Sequence, residues 1–197
     1  MVLSKIFKKQ ETFIRCYDNT LTQEECDRII EIFENSSEHI AGKVMITDIT
    51  EEKHNIKKSI ELPNTTFLNQ GESDLIILGG LGKAITNYHS EFYQLLEHSV
   101  SQWRLYDTYN IQKYVDETDG FKTWHCEAGN IPTSQRIMAW MIYLNDAKSG
   151  TDFYCFDRVK AKRGRCVIWP ASWTHVHRSQ LPNRGIKYLA TGWLNYC

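Results

Sequence analysis

The chain has 197 residues, enough for one domain with a substantial core. Its formal net charge of −1 gives no global field that would recruit nucleic acid or an anionic membrane. No apolar run approaches the length of a membrane span. The opening stretch, MVLSKIFKKQ, lacks the continuous apolar segment of a signal peptide and reads as the approach to a first strand. Six cysteines (Cys16, Cys26, Cys126, Cys155, Cys166 and Cys197) include no C-x-x-C pair, so zinc-finger and thioredoxin-like readings have no support. Without an export signal, reduced thiols and a cytoplasmic location are expected.

In chain order, Thr12 to Tyr17 is short, apolar and β-prone, and Asp18-Asn19 turns the chain. Thr22 with Glu25 forms a predicted capping box. Ile29, Ile30, Ile32 and Phe33 give the following helix its apolar face, and it should end near Asn35-Ser36-Ser37. Lys43 to Leu68 is polar and weakly periodic, with Pro63 as a stop, and is expected to be a long loop with short strands. From Asp74 to His98, Ile77, Leu81, Ile85, Tyr88, Phe92, Leu95 and Leu96 recur at helical spacing, weakened by Gly79, Gly80 and Gly82.

Beyond that helix the pattern becomes β. Tyr106 to Val115 alternates and is rich in tyrosine, and Arg136 to Leu144 is a strong apolar strand closed by Asn145-Asp146. Thr151–Asp157, Gly164–Trp169 and Ile186–Leu194 read as further short strands. Helices first and many short strands after predict an α+β chain with a β-sandwich or barrel backed by N-terminal helices.

Two H-x-E triplets stand out. His89-Ser90-Glu91 lies in the helical stretch, where residues two apart point in different directions, so it reads as a solvated helix face. His125-Cys126-Glu127 follows a strand-like approach, Phe121 to Trp124, and in an extended chain residues two apart share a face. His177, near the C-terminus, supplies a third donor, and two histidines with one carboxylate make a facial triad that leaves metal positions open. On spacing alone, a hydrogen-bonded His–Glu pair fits His125 and Glu127 as well as a metal site does. Ten residues past His177, Lys187 sits in an apolar, aromatic run, where an unpaired charge is costly and an anionic partner is needed. His175 competes with His177, either as a pocket residue or as a satisfied structural histidine. Arg178 and Arg184 read as solvated charges, and His39, His54 and His98 as surface residues.

These residues occur in an order that resembles the 2-oxoglutarate- and iron(II)-dependent dioxygenases of the prolyl 4-hydroxylase type, from about Tyr106 to Trp193. His125-x-Glu127, His177, Gly185 and Lys187 follow that family's order of H-x-D, distal histidine, glycine and basic residue. Tyr143-Leu144-Asn145, Gly150-Thr151 with Phe153, and Cys166 to Pro170 are similar to its strands and turns, and Leu21 to Cys26 to its opening helix. Glu127 stands where the family usually carries aspartate, one methylene shorter, and Phe121-Lys122 replaces a tyrosine ahead of the first histidine.

The resemblance implies a double-stranded β-helix (jelly roll, cupin-like) with N-terminal helices packed on one sheet. It implies one dioxygenase domain over 1–197, helical to about residue 104 and jelly roll from about 105. Fe(II) would be held by His125, Glu127 and His177, and 2-oxoglutarate by Lys187 and Tyr114, with ascorbate allowed as a further reductant. The reaction would be hydroxylation of a C–H bond in a peptidyl proline or other protein side chain, or in a small molecule, releasing succinate and CO2. No nucleic acid or membrane partner is expected. A non-catalytic jelly-roll module and a zinc hydrolase using the same ligands are the alternatives.

Overall fold

The computed structural model describes residues 11–46, 49–51, 53, 55–65, 71–99 and 102–197. The opening stretch to residue 10 and His54 lie outside the described residues. The elements run β1 (Arg15–Tyr17), α1 (Gln23–Asn35), β2 (Ile40–Ala41), β3 (Val44–Ile46), β4 (Ile49–Glu51), β5 (Lys57–Lys58) and β6 (Ile60–Thr65). Then come α2 (Glu72–Glu91), α3 (Tyr93–Ser99), β7 (Trp103–Leu105), β8 (Thr108–Tyr114), β9 (Gly120–Phe121) and β10 (Arg136–Tyr143). The chain closes with β11 (Thr151–Phe153), β12 (Cys166–Pro170), β13 (His177–Ser179) and β14 (Lys187–Tyr196).

The main sheet is ordered β1-β12-β10-β14-β8-β6-β2, with β7 also on β14, and its pairings are antiparallel. Strand alternation divides its residues between two apolar clusters. Along β10, Met138, Trp140 and Ile142 face the helices, whereas Ala139, Met141 and Tyr143 face the opposite side. The helix-side cluster joins Cys26, Ile29 and Phe33 of α1 and Ile77, Leu81, Ala84 and Tyr88 of α2 to Ile111, Ile168 and Ala190 of the sheet. The capping box forms as expected: the Thr22 hydroxyl accepts from Glu25 N at 3.2 Å, and Thr22 N donates to the Glu25 carboxylate at 2.7 Å.

The other face of the sheet looks onto short strand pairs, β5·β9 and β11·β13, plus an isolated bridge between His125 and His177. Together these layers form the double-stranded β-helix with helices on one sheet. Gly192 in β14 is required by packing, since a Cβ there would lie 2.6 Å from the Trp140 ring and 2.9 Å from Tyr109 Cβ. Among the described residues no helix is long and apolar enough to cross a membrane, and all six cysteines are free.

Several local expectations change. Among the described residues of Lys43 to Thr65 the expected short strands form, but the last of them, β6, joins the main sheet and pairs with β8 over six residues. Pro63 does not stop that strand. It pairs with Asn110 of β8, while β2 on the other side reaches only Ile60 and Glu61, so Pro63 sits where the strand is an edge. The long helical pattern breaks at Phe92 into α2 and α3. The strand from Thr151 ends at Phe153 rather than Asp157. His39 is half-buried against Phe33, with ring centroids 4.4 Å apart, instead of lying free on the surface.

Candidate active site

The two histidines of the site face each other because their backbones pair. His125 N donates to His177 O at 3.0 Å, and His177 N donates to His125 O at 2.9 Å. His125 does not lead an extended strand into Glu127, as the spacing suggested. The chain turns immediately after the bridge, and the turn is fastened to the end of β12, where Ala171 O accepts from both Glu127 N and Ala128 N. The turn brings the Glu127 carboxylate back between the two imidazoles. Its Oε1 lies 3.5 Å from His125 Nε2 and 3.3 Å from His177 Nε2.

Both rings have their far nitrogen engaged by a backbone carbonyl, Nδ1 of His125 by Thr123 O and Nδ1 of His177 by His175 O, each at 3.0 Å. That contact favours the tautomer with the proton on Nδ1, which turns an Nε2 lone pair towards Glu127. Burial, and then the neighbouring His177, lower the His125 pKa and favour the neutral ring. Burial alone would raise the Glu127 pKa, but the two histidines outweigh it and hold the group well below the usual carboxylate range. A carboxylate and two imidazoles converging within 4.8 Å form a donor set suited to a divalent metal. A cation at their convergence would satisfy lone pairs that otherwise oppose one another.

The other Glu127 oxygen is held separately. Trp193 Nε1 donates to Oε2 at 2.8 Å, and Arg136 lies 3.5 Å from the same oxygen while donating to Glu127 O at 3.2 Å. The Arg136 guanidinium stacks 3.6 Å over the Trp193 ring.

Lys187 is paired across the ladder with Tyr114, so their side chains share the pocket face. The cavity that contains the three ligand residues is lined by both, together with Gln112, Thr191 and Trp193. Lys187 is 1% exposed, and its ammonium lies 4.9 Å from the Tyr114 ring centroid. Burial depresses its pKa from 10.5 to about 8, and no carboxylate among the described residues pairs with it. Tyr114 donates its hydroxyl to Gln112 Oε1 at 2.6 Å, so its hydroxyl is already engaged within the pocket. Asn145 flanks Lys187 on the backbone, donating to Ile186 O and accepting from Tyr188 N, both at 2.8 Å.

His175 is elsewhere. It sits in a 3-10 turn (Trp173–His175), not in one strand with His177, so the two rings diverge. Its Nε2 meets Thr12 O at 2.7 Å, its Nδ1 meets the Thr174 hydroxyl at 2.9 Å, and its ring stacks on Phe156. It is the satisfied structural histidine of the two readings. Arg178 lies 4.3 Å over Trp124 and lines the cavity mouth, and Arg184 is exposed. Glu91 is on the far helix, hydrogen-bonded to Arg15 and Tyr17, and His98 is exposed.

Sequence reasoning missed Trp193 and Arg136 as partners of Glu127. Trp193 was detectable, because it lies an even number of residues from Lys187 on one strand and so shares its face. It also missed a buried ion pair on the cavity wall, Lys57 Nζ to Glu61 Oε1 at 2.6 Å, with Ser59 donating to the same carboxylate at 2.8 Å. Past Lys57, Phe121 and Trp193 the cavity continues into a groove lined by Lys43, Tyr106, Asn130 and Arg136.

Residues 109–195 match the family model of the 2OG-Fe(II) oxygenase superfamily, a span that contains His125, Glu127, His177 and Lys187. The matched part of the chain, which carries the site, is therefore similar to 2OG-Fe(II) oxygenases. Its fold is shared with a prolyl-4-hydroxylase from Pseudomonas putida at 13% identity and TM-score 0.66, covering 94% of each chain. A Trichoplax adhaerens prolyl hydroxylase, solved with a hypoxia inducible factor peptide fragment, aligns at 13% identity and TM-score 0.70, over 93% of this chain and 84% of that one. A viral collagen prolyl hydroxylase from Paramecium Bursaria Chlorella virus-1, solved with 2OG, aligns at 15% identity and TM-score 0.60, over 94% and 97%. No curated protein matches the chain significantly in sequence.

Proposed function

We propose that this chain is a 2-oxoglutarate/Fe(II)-dependent oxygenase, prolyl 4-hydroxylase-like, that hydroxylates a C–H bond in a peptidyl proline or other protein side chain, releasing succinate and CO2. The whole chain, 1–197, acts as one domain, its first half of about 104 residues supplying the helical support and its second the jelly-roll core. His125, Glu127 and His177 hold Fe(II), which when bound supplies the oxygen chemistry. Lys187 receives the far carboxylate of 2-oxoglutarate, and Tyr114 lines the same end of the pocket.

The observation that carries this reading is the buried Lys187. A cation at 1% exposure with no carboxylate partner among the described residues is costly unless a ligand supplies the anion. It lines the same cavity as the three convergent donors, so a keto diacid can meet metal and ammonium together. The stacked Phe121 ring, 3.6 Å from the His125 ring, helps exclude water on that side. The groove beyond Trp193 leaves room for a chain segment to approach, and the peptide-bound Trichoplax enzyme shares the fold. The reading allows ascorbate as a further reductant.

The test is anaerobic loading with Fe(II), then oxygen and 2-oxoglutarate, with succinate measured directly. Succinate should form only with iron present, and mass spectrometry of co-expressed proteins should find a gain of one oxygen on a side chain. A protein that makes no succinate, or makes it equally with Zn(II), overturns the proposal.

A further inference from the structure

We infer that Trp193 is a positioning residue that keeps Glu127 a one-oxygen ligand, so that the longer carboxylate leaves the metal positions needed by 2-oxoglutarate open. The inference rests on the assignment of Glu127 as a metal ligand.

Glutamate has one more rotatable bond than aspartate, and its free end can pivot so that both oxygens meet one cation. A facial triad depends on this not happening, because each extra protein oxygen removes a position from the co-substrate. In this chain the two oxygens have different surroundings. Oε1 faces both imidazoles, at 3.5 and 3.3 Å, while Oε2 accepts the Trp193 indole N–H at 2.8 Å. The indole cannot easily follow a pivoting carboxylate. Arg136 covers its face at 3.6 Å, and Tyr106 packs edge-on with centroids 5.9 Å apart. Tyr106 N also donates to Trp193 O at 2.9 Å, and Arg136 donates to the Glu127 carbonyl at 3.2 Å. One rigid donor therefore fixes the outer oxygen, and a guanidinium braces the donor. A hydrogen bond from a neutral donor to a charged acceptor is among the stronger kinds, and groups that orient metal ligands typically govern metal affinity or activity by about 10- to 100-fold.

The test uses Trp193→Phe, which keeps the ring and the stacking surface but deletes the N–H, in the full chain. Fe(II)-loaded protein is titrated anaerobically with 2-oxoglutarate, following the charge-transfer absorption of the keto acid chelate. Mn(II) affinity of the metal-free protein is measured alongside by electron paramagnetic resonance. Trp193→Phe should raise the 2-oxoglutarate midpoint about tenfold or more, while thermal melting confirms a folded protein. In a Glu127→Asp background the shorter arm cannot pivot in the same way, so adding Trp193→Phe should change the midpoint less than threefold. Trp193→His, which retains a ring N–H, should recover part of the loss and stands in if the Phe variant does not fold. Equal midpoints for parent and Trp193→Phe, or equal losses in the Glu127 and Glu127→Asp backgrounds, overturn the inference. A parent that gives no chelate band and no Mn(II) binding overturns the metal-site reading along with it.

Discussion

Replacing Lys187 by alanine is the sharpest perturbation of the proposed co-substrate anchor. In the ligand-free protein, burial lowers the lysine pKa from 10.5 to about 8, which corresponds to a penalty of about 3 kcal/mol on its charged form. A bound carboxylate would offset that penalty, and removing one partner of a buried ion pair costs about 3–5 kcal/mol. At 1.4 kcal/mol per tenfold, Lys187→Ala should weaken 2-oxoglutarate binding by roughly two to three orders of magnitude while Fe(II) binding is unchanged. The depressed pKa adds a sign that can be checked. Below pH 8 the lysine is already protonated, whereas between 8 and 10.5 the empty pocket holds it neutral and a diacid must bring a proton with it. The 2-oxoglutarate affinity of the parent should therefore fall as pH rises above 8, by up to about tenfold per pH unit, with proton uptake on binding. The Ala variant should lack that slope. Anaerobic titration of the chelate band at pH 7 and 9, with calorimetry in two buffers for the proton count, measures both effects. An unchanged midpoint for Lys187→Ala, or a parent affinity that is flat from pH 7 to 9, would refute the anchor.

Other outcomes follow from the same geometry. Glu127→Ala should abolish Fe(II) retention, read by metal analysis after desalting, whereas Glu91→Ala should leave it intact because Glu91 is paired with Arg15 on an exposed helix end. His177→Ala should lose iron and His175→Ala should keep it. The second variant should still melt earlier, because it strips a ring that bonds Thr12 O and stacks on Phe156. Gly192→Ala drives a methyl to 2.6 Å from the Trp140 ring and should cost about 1–3 kcal/mol. A calorimetric melt no lower than the parent's would contradict that packing.

How much of this was legible in the chain differs residue by residue. The apolar character of β10 and β14 is written in the sequence, and it marked both as strands, with Lys187 as a cation inside the second. Thr22 and Glu25 announced α1 because capping is a local exchange of hydrogen bonds. The route of the chain into Glu127 was not legible. What bends it is Ala171 O, 44 residues downstream, which accepts two amides of the turn, and no local pattern encodes a distant carbonyl. Spacing to Gly185 and Lys187 favoured His177 over His175, but the 3-10 turn that ends at His175 and sends its ring elsewhere was not legible. The polar stretch from Lys43 read as a long loop with short strands because Lys57, Ser59 and Glu61 carry charge and hydroxyl groups. In the structure those groups satisfy one another inside the cavity wall.

Strand β14 presents Lys187, Leu189, Thr191 and Trp193 to the cavity from a single run of alternating residues. It thus behaves as a ruler, with the cation that would receive the co-substrate at one end and the donor that restrains the metal carboxylate six residues along. Asn145 pins the first mark through its two bonds around Lys187, and Gly192 fixes the far end by admitting Trp140. Deleting any one residue between 188 and 192 would rotate whatever follows to the opposite face. The indole would then point at the helices and Leu194 at the metal ligands. Length changes inside this strand should therefore be rejected, so that both functions at its ends are kept or lost together.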